Sequence, residues 1–164
     1  MYTACLVDAN NQPTHLYDYV KEINAEIRAF ASAFKSYKFV RCMASYLEDY
    51  YSERFSSSLY TLSTYNELDF SDRRFVKNID AEYNCLIGCF EREEDEAYMV
   101  VGYDYWSADE TQTVTVTLKN DATHLAVYGG EGFTGEPTVV EAKDGKCTLR
   151  IKGGEGKFIV PLTA

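Results

Sequence analysis

Two hydrophobic periods divide this chain. In the first, Leu16, Val20, Ile23, Ile27, Phe30 and Phe34 recur at three- and four-residue steps, and Tyr19 and Ala31 widen the stripe. That spacing predicts an amphipathic α-helix of about six turns. Thr14 stands where an N-cap belongs, directly after Pro13. Asp18 and Glu22 lie toward the helix start and Lys35 at its end, the order that the helix macrodipole favours.

From Asn84 onward the period falls to two. Leu86-Ile87-Gly88-Cys89-Phe90 reads as a buried strand, Glu91 to Glu96 as a charged turn, and Ala97 to Tyr105 as the next strand. Thr113 to Leu118 alternates strictly, with Val114, Val116 and Leu118 on one face. Strands over Thr123 to Tyr128 and Thr138 to Ala142 follow. Asp144-Gly145 is a hairpin-turn pair leading into Cys147, Leu149 and Ile151 on one face. The glycine-rich turn 153–156 precedes a last strand carrying Phe158, Val160 and Leu162. Pro161 assigns that strand to a sheet edge, or itself to a strand end, because proline cannot donate to a ladder.

Residues 37–83 carry weaker signals. Lys38 to Leu47 fits a strand with Phe39, Val40, Cys42 and Met43 apolar. A serine- and tyrosine-rich stretch with Tyr50, Tyr51, Tyr60 and Tyr65 follows, with one strand expected near Leu59 to Leu62. A structureless loop of this length does not suit a compact domain, so the segment is expected to pack over the sheets. Strands at this spacing, without a βαβ rhythm or an internal repeat, predict a mainly-β fold. The expected architecture is an antiparallel β-sandwich of about seven to nine strands preceded by one long N-terminal amphipathic helix.

Composition narrows the function classes. With 46% hydrophobic and 15% aromatic residues the chain has the material for a packed core. Its 26 acidic and 16 basic residues give a formal net charge of −10, which disfavours nucleic acid and anionic membrane surfaces as partners. No run of 18 apolar residues predicts a membrane-spanning helix. Cys5, Cys42, Cys85, Cys89 and Cys147 are odd in number and widely spaced. That argues against a disulfide framework and favours a reducing, cytoplasmic compartment.

Several residue groups imitate chemical motifs. Gly130-Glu131-Gly132-Phe133-Thr134-Gly135 has dinucleotide-fingerprint spacing, but Glu136-Pro137 and a strand follow instead of a helix. With no helix N-terminus to receive a pyrophosphate, and Glu131 repelling it, a hairpin loop is expected. Cys85 and Cys89 share a strand face with Ile87 and read as buried apolar thiols, since nothing pairs them with His15 or His124 as zinc ligands. His124 has the opposite parity to Leu125 and Val127 and reads as a sheet-face histidine. Asp69, Asp72 and Asp80 match no calcium-loop spacing. Glu91, Glu93, Glu94, Asp95 and Glu96 supply carboxylates in excess, yet they read as a solvated hairpin without an apolar pocket to raise one pKa. No cofactor, metal or catalytic residue is assigned.

Two stretches resemble one known family. Leu6-Val7-Asp8, a turn, Pro13-Thr14, and then the helix Tyr17-Asp18-Tyr19-Val20-Lys21-Glu22-Ile23-Asn24-Ala25-Glu26-Ile27 resemble the last loop and last helix of TIM-barrel glycoside hydrolases of the β-galactosidase-like kind. Ile87-Gly88-Cys89-Phe90, Tyr98-Met99-Val100-Val101, Val114 to Leu118, Leu125 to Tyr128, Gly145 to Ile151 and Gly154 to Leu162 are similar, in order, to the small C-terminal sandwich of those enzymes. The departures are Gly153 where proline is usual and Gly102 where a polar residue is common, and residues 37–83 are not covered.

The resemblance implies that residues 1–36 are the loop and final helix of a preceding barrel, and residues 37–164 a C-terminal β-sandwich. A TIM barrel needs at least about 200 residues, more than the 164 present. The catalytic glutamates of the family lie on barrel strands, so this chain would not be an enzyme on its own. It would be a structural accessory domain whose partner is the parent barrel, with a homo-oligomer through the N-terminal helix as a further implied contact. Two alternatives stay open: a carbohydrate-binding module and a free-standing interaction domain. For glycan binding the candidates are Tyr103, Asp104, Tyr105 and Trp106, with rings to stack on a sugar and a carboxylate to bond its hydroxyls. The competing role for Trp106 is core filling. A free-standing chain should bury Leu16, Val20, Ile23, Ile27 and Phe34 in its own fold, whereas a fragment should leave part of that stripe exposed or covered by a second copy.

Overall fold

The structure is a computed structural model that describes residues 6–45, 68–83, 85–102, 110–130 and 132–163. Among them one helix, α1 (His15–Phe34), precedes nine strands: β1 (Lys38–Ser45), β2 (Val76–Ala81), β3 (Cys85–Arg92), β4 (Asp95–Gly102), β5 (Thr111–Leu118), β6 (Ala122–Tyr128), β7 (Thr138–Glu141), β8 (Lys146–Lys152) and β9 (Gly156–Thr163). The expected mainly-β fold with one long N-terminal helix is the fold observed. All pairings are antiparallel. They form a six-stranded sheet in the order β1-β3-β4-β9-β6-β7 and a three-stranded sheet in the order β2-β5-β8.

The strict alternation of β5 and β8 explains the smaller sheet. Val114, Val116 and Leu118 of β5 and Cys147, Leu149 and Ile151 of β8 turn inward, while the threonines, lysines and arginine between them face out. They meet Met43, Cys85, Ile87, Cys89, Tyr98, Val100, Leu125 and Ile159 from the larger sheet in one continuous core. β9 is apolar on both faces because both are covered. Ile159 enters this core, and Phe158, fully buried, points to the opposite face. There the rings of Phe34, Tyr37, Phe90 and Tyr128 surround it with centroids 5.5–6.2 Å away. α1 is thus a third layer on the outside of the six-stranded sheet.

Three expectations are refined. β2 was not foreseen, because a register shift between Val76 and Asn78 puts the buried Val76 and Ile79 three residues apart, which breaks the two-residue period. Asp144-Gly145 does make a tight turn, with positive φ at both residues and reciprocal backbone bonds between Lys143 and Lys146. The strands it joins belong to different sheets, however, so the turn carries the chain across the sandwich. Pro161 meets neither expectation: β9 is an interior strand, and Pro161 pairs with Leu125 while the β6 ladder continues to Thr163; only the β4 ladder on its other side has ended, at Ile159. The strand expected near Leu59 to Leu62, and Tyr50, Tyr51, Tyr60 and Tyr65, fall outside the described residues.

Candidate functional site

The largest departure from a closed fold lies along α1. Thr14 is its N-cap, though its side chain makes no cap bond, and its hydroxyl lies 3.3 Å from the Leu6 carbonyl. Asp8 closes the preceding loop by accepting the N–H groups of Asn10 and Gln12 at 2.8 Å each. The last turn of the helix docks: Phe30 and Phe34 are half-buried, Phe30 lies 4.9 Å from the ring of Phe133, and Phe34 lies 6.1 Å from that of Phe158. Gly129, at φ +112°, lets the Phe30 ring approach, since a Cβ there would stand 2.9 Å from it. Arg92 fastens the junction behind the helix, stacking 4.6 Å from the Tyr37 ring centre and donating to the Ser36 hydroxyl at 3.0 Å.

Ahead of that turn the same stripe is uncovered. Val20 is 37% exposed, Ile23 53% and Ile27 54%, and no residue of α1 is fully buried. Two open grooves flank the helix. One, of about 500 Å³, is lined by Ile23, Ile27, Phe30 and Met99 and walled by the turn 152–156. The other, of about 760 Å³, runs between the acidic flank of the helix and the loop 130–134. Glu26 borders both. Of the stripe residues that a free-standing fold should enclose, three are open to solvent among the described residues.

The densest polar cluster among the described residues forms where the segment 68–75 packs against β1 and β4 of the six-stranded sheet, with Asp72 and Glu91 about half exposed. Arg41, Cys89 and Tyr98 occupy one inward-facing row across β1, β3 and β4. Asp72 receives both guanidinium groups: Arg41 at 2.8 Å on each carboxylate oxygen, and Arg73 at 3.0 and 2.9 Å. Arg73, only 6% exposed in its side chain, also pairs with Glu91 at 2.8 Å. Hydrogen bonds from Arg73 and Arg41 hold the Asp72 carboxyl well below the usual carboxylate range. The Glu96 carboxylate accepts the N–H groups of Arg74, Phe75 and Val76 at 2.7–2.9 Å. The acidic run is therefore not the uniformly solvated hairpin expected. Glu93 and Glu94 form its tip, but Glu94 pairs with Arg74, Glu91 and Asp95 are ion-paired as well, and Glu96 is buried.

This cluster does not resemble a reaction centre. Burial pushes the Cys89 thiol up to about 11 and the Cys85 thiol to about 12, which removes nucleophilic character. The Tyr98 phenol is raised by burial and by the neighbouring Glu96 charge. Its hydroxyl and the Arg41 Nε are buried without a partner among the described residues. Each carboxylate is engaged by a guanidinium or by backbone, so the cluster fastens the 68–75 segment to the sheet.

The proposed glycan residues Tyr103, Asp104, Tyr105 and Trp106 lie outside the described residues, as do Glu131 and Cys5. Gly130 to Gly135 falls in the loop joining the antiparallel strands β6 and β7, as its sequel of strand and not helix implied. His15 starts α1 and stacks edge-on to Tyr19, whereas His124 lies half-buried in β6 beside the Thr123 hydroxyl. Among the described residues no group of three or more histidine, cysteine, aspartate or glutamate side chains is arranged to hold a metal ion, and no helix is long and apolar enough to cross a membrane. No signal in the sequence marked Arg73 as buried. The parity of Glu96 with Tyr98 and Val100 was the clue to its inward position.

No protein-family model, curated protein or solved structure matches the chain.

Proposed function

We propose that this chain is the C-terminal, non-catalytic accessory part of a β-galactosidase-like glycoside hydrolase. In this reading residues 1–36 are the final loop and helix of a catalytic barrel, and residues 37–164 are a sandwich that covers and supports it. The observation that carries the reading is the divided stripe of α1: Phe30 and Phe34 dock on the chain's own sheet, while Val20, Ile23 and Ile27 face solvent. One continuous apolar face serving two surfaces is what a helix between a barrel and a sandwich requires. The ordered resemblance of the loop, helix and strand segments supports the same parentage. The polar cluster supports a structural role, because its ionisable groups are spent on ion pairs and backbone.

The test is the reading frame before the Met1 codon. A frame continuing into a barrel, with the extended product hydrolysing an aryl β-galactoside and the present chain inert, is the expected result. An in-frame stop with a ribosome site ahead of Met1 would overturn the parentage. A role in glycan recognition would instead appear as a change in Trp106 fluorescence on titration with galactosides or plant oligosaccharides.

A further inference from the structure

We propose that the outer face of the three-stranded sheet β2-β5-β8 is a weak self-association surface whose occupant is a second copy of this chain. The ladder registers lay that face out in level rows: Asn78-Thr117-Lys146, then Asp80-Thr115-Thr148, then Thr113-Arg150, then Thr111-Lys152. Glu82 extends the β2 column to the Thr113 level, where its N–H donates to the Thr113 carbonyl. One side of the face is therefore acidic, with Asp80 and Glu82, and the other basic, with Lys146, Arg150 and Lys152. Between them runs a column of four partly buried threonines. All five charged residues are exposed, and none takes an ion pair among the described residues. Hydrogen bonds steady the acidic column, since Asp80 accepts from the Asn78 amide and Glu82 from the Thr113 N–H. Lys77 falls in the register shift of β2 and belongs to no row.

This sideways polarity selects both the partner and its orientation. A two-fold axis running along β5 turns the face over, so that β2 of each copy lies on β8 of the other and the rows stay level. Glu82 then meets Arg150 of the second copy, Asp80 falls between its Lys146 and Arg150, and the symmetry repeats both contacts. The threonine columns meet in the middle, where each hydroxyl can donate or accept. A two-fold axis across the strands would instead stack acid on acid and base on base. Cations on an edge strand also discourage strand addition, but that role asks nothing of β2. The chain carries a formal net charge of −10, so its copies repel one another. This face sets three basic residues, Lys146, Arg150 and Lys152, against two acidic ones, Asp80 and Glu82, and so adds nothing to that repulsion. Strand spacing and rise give it roughly 300 Å² per copy. A standard stable interface uses about 800 Å² per partner, so the pairing is transient and, being charge-led, sensitive to salt.

Sedimentation velocity of the intact chain tests this. At about 0.5 mM protein and about 20 mM salt a monomer–dimer exchange is expected, and about 0.5 M salt should return the monomer. Arg150→Glu and Glu82→Lys, both at exposed positions, should each weaken association at least about tenfold, because each sets like charges against each other twice. An equimolar mixture of the two variants should regain most of the association of the parent, since every swapped residue then faces an opposite charge. Urea midpoints close to that of the parent confirm that both variants fold. A chain that stays monomeric at low salt would overturn the proposal. So would association that Arg150→Glu leaves unchanged, which would place the contact elsewhere, or a mixture that regains nothing. Binding of polygalacturonate by the monomer, lost in Arg150→Glu and strengthened in Glu82→Lys, would overturn it in favour of an acidic polysaccharide. None of these results depends on what lies upstream of Met1, so the parentage and this surface fail separately.

Discussion

The carboxylate of Glu96, on β4, accepts the backbone N–H of Phe75 at 2.7 Å, one residue before β2 begins in the opposite sheet. The same carboxylate holds Arg74 and Val76, so one buried side chain satisfies three successive donors. Glu96→Ala would leave those donors without acceptors and should destabilise the fold by about 3 kcal/mol. Glu96→Gln retains one carbonyl oxygen but turns an NH₂ toward an N–H, and should cost about 1–2 kcal/mol. Urea midpoints for the two variants check both the size and the order. Equal losses would mean that side-chain volume, not acceptance, sets the cost.

That buried glutamate shows where the sequence stops being readable. α1, β5 and β8 follow from periodicity because each has one apolar face, and the β5–β8 ladder runs without a register shift. β2 does not, because the bulge at Val76 shifts its parity. The six-and-three division of the strands is equally hidden, since Asp144-Gly145 has the same turn chemistry whether its strands pair or cross between sheets. The exposed part of the α1 stripe could not be read either. Val20, Ile23 and Ile27 are as apolar as Phe30 and Phe34, and only the extent of the sheet beneath them separates open from docked.

Phe158 joins the helix layer to the sheet. Its ring is fully buried among Phe34, Tyr37, Phe90 and Tyr128. Phe158→Ala should cost about 3–5 kcal/mol, because the surrounding rings belong to separate elements and cannot all close on the gap. Phe34→Ala, at a half-buried position, should cost less and act mainly on α1. Thermal unfolding should rank the variants in that order. Hydrogen exchange should show that Phe34→Ala loosens the end of α1 without affecting β5 or β8.

The thiols of Cys85 and Cys89 are fully buried on the inner face of β3, and burial places their pKa near 12 and 11. Neither should react with a thiol reagent at about pH 8 in the native state, since only the thiolate is nucleophilic. Both should label once the protein is unfolded in guanidinium chloride. Peptide mapping after brief iodoacetamide treatment distinguishes them from the half-exposed Cys42. Native labelling of Cys89 would show that the 68–75 segment opens without global unfolding.

Asp72 should place part of the stability of this fold in the acid range. Its carboxyl is held below its ordinary value of 3.8, first by the hydrogen bonds from Arg73 and Arg41. A carboxyl depressed in the folded state contributes stability above its unfolded pKa, and that contribution is lost as pH falls through the folded value. Asp72→Asn should therefore be less stable than the parent near neutral pH. The difference should narrow as pH falls below about 4 and disappear once the folded carboxyl is protonated. About half of the Asp72 side chain reaches solvent, so the neutral-pH loss should be modest, roughly 1 kcal/mol after screening. Arg73 is far less exposed and keeps Glu91 as its second partner, which limits the damage. Urea midpoints for parent and variant across the acid range check the sign. A difference that stayed constant with pH would mean that Asp72 acts through packing and not through its charge.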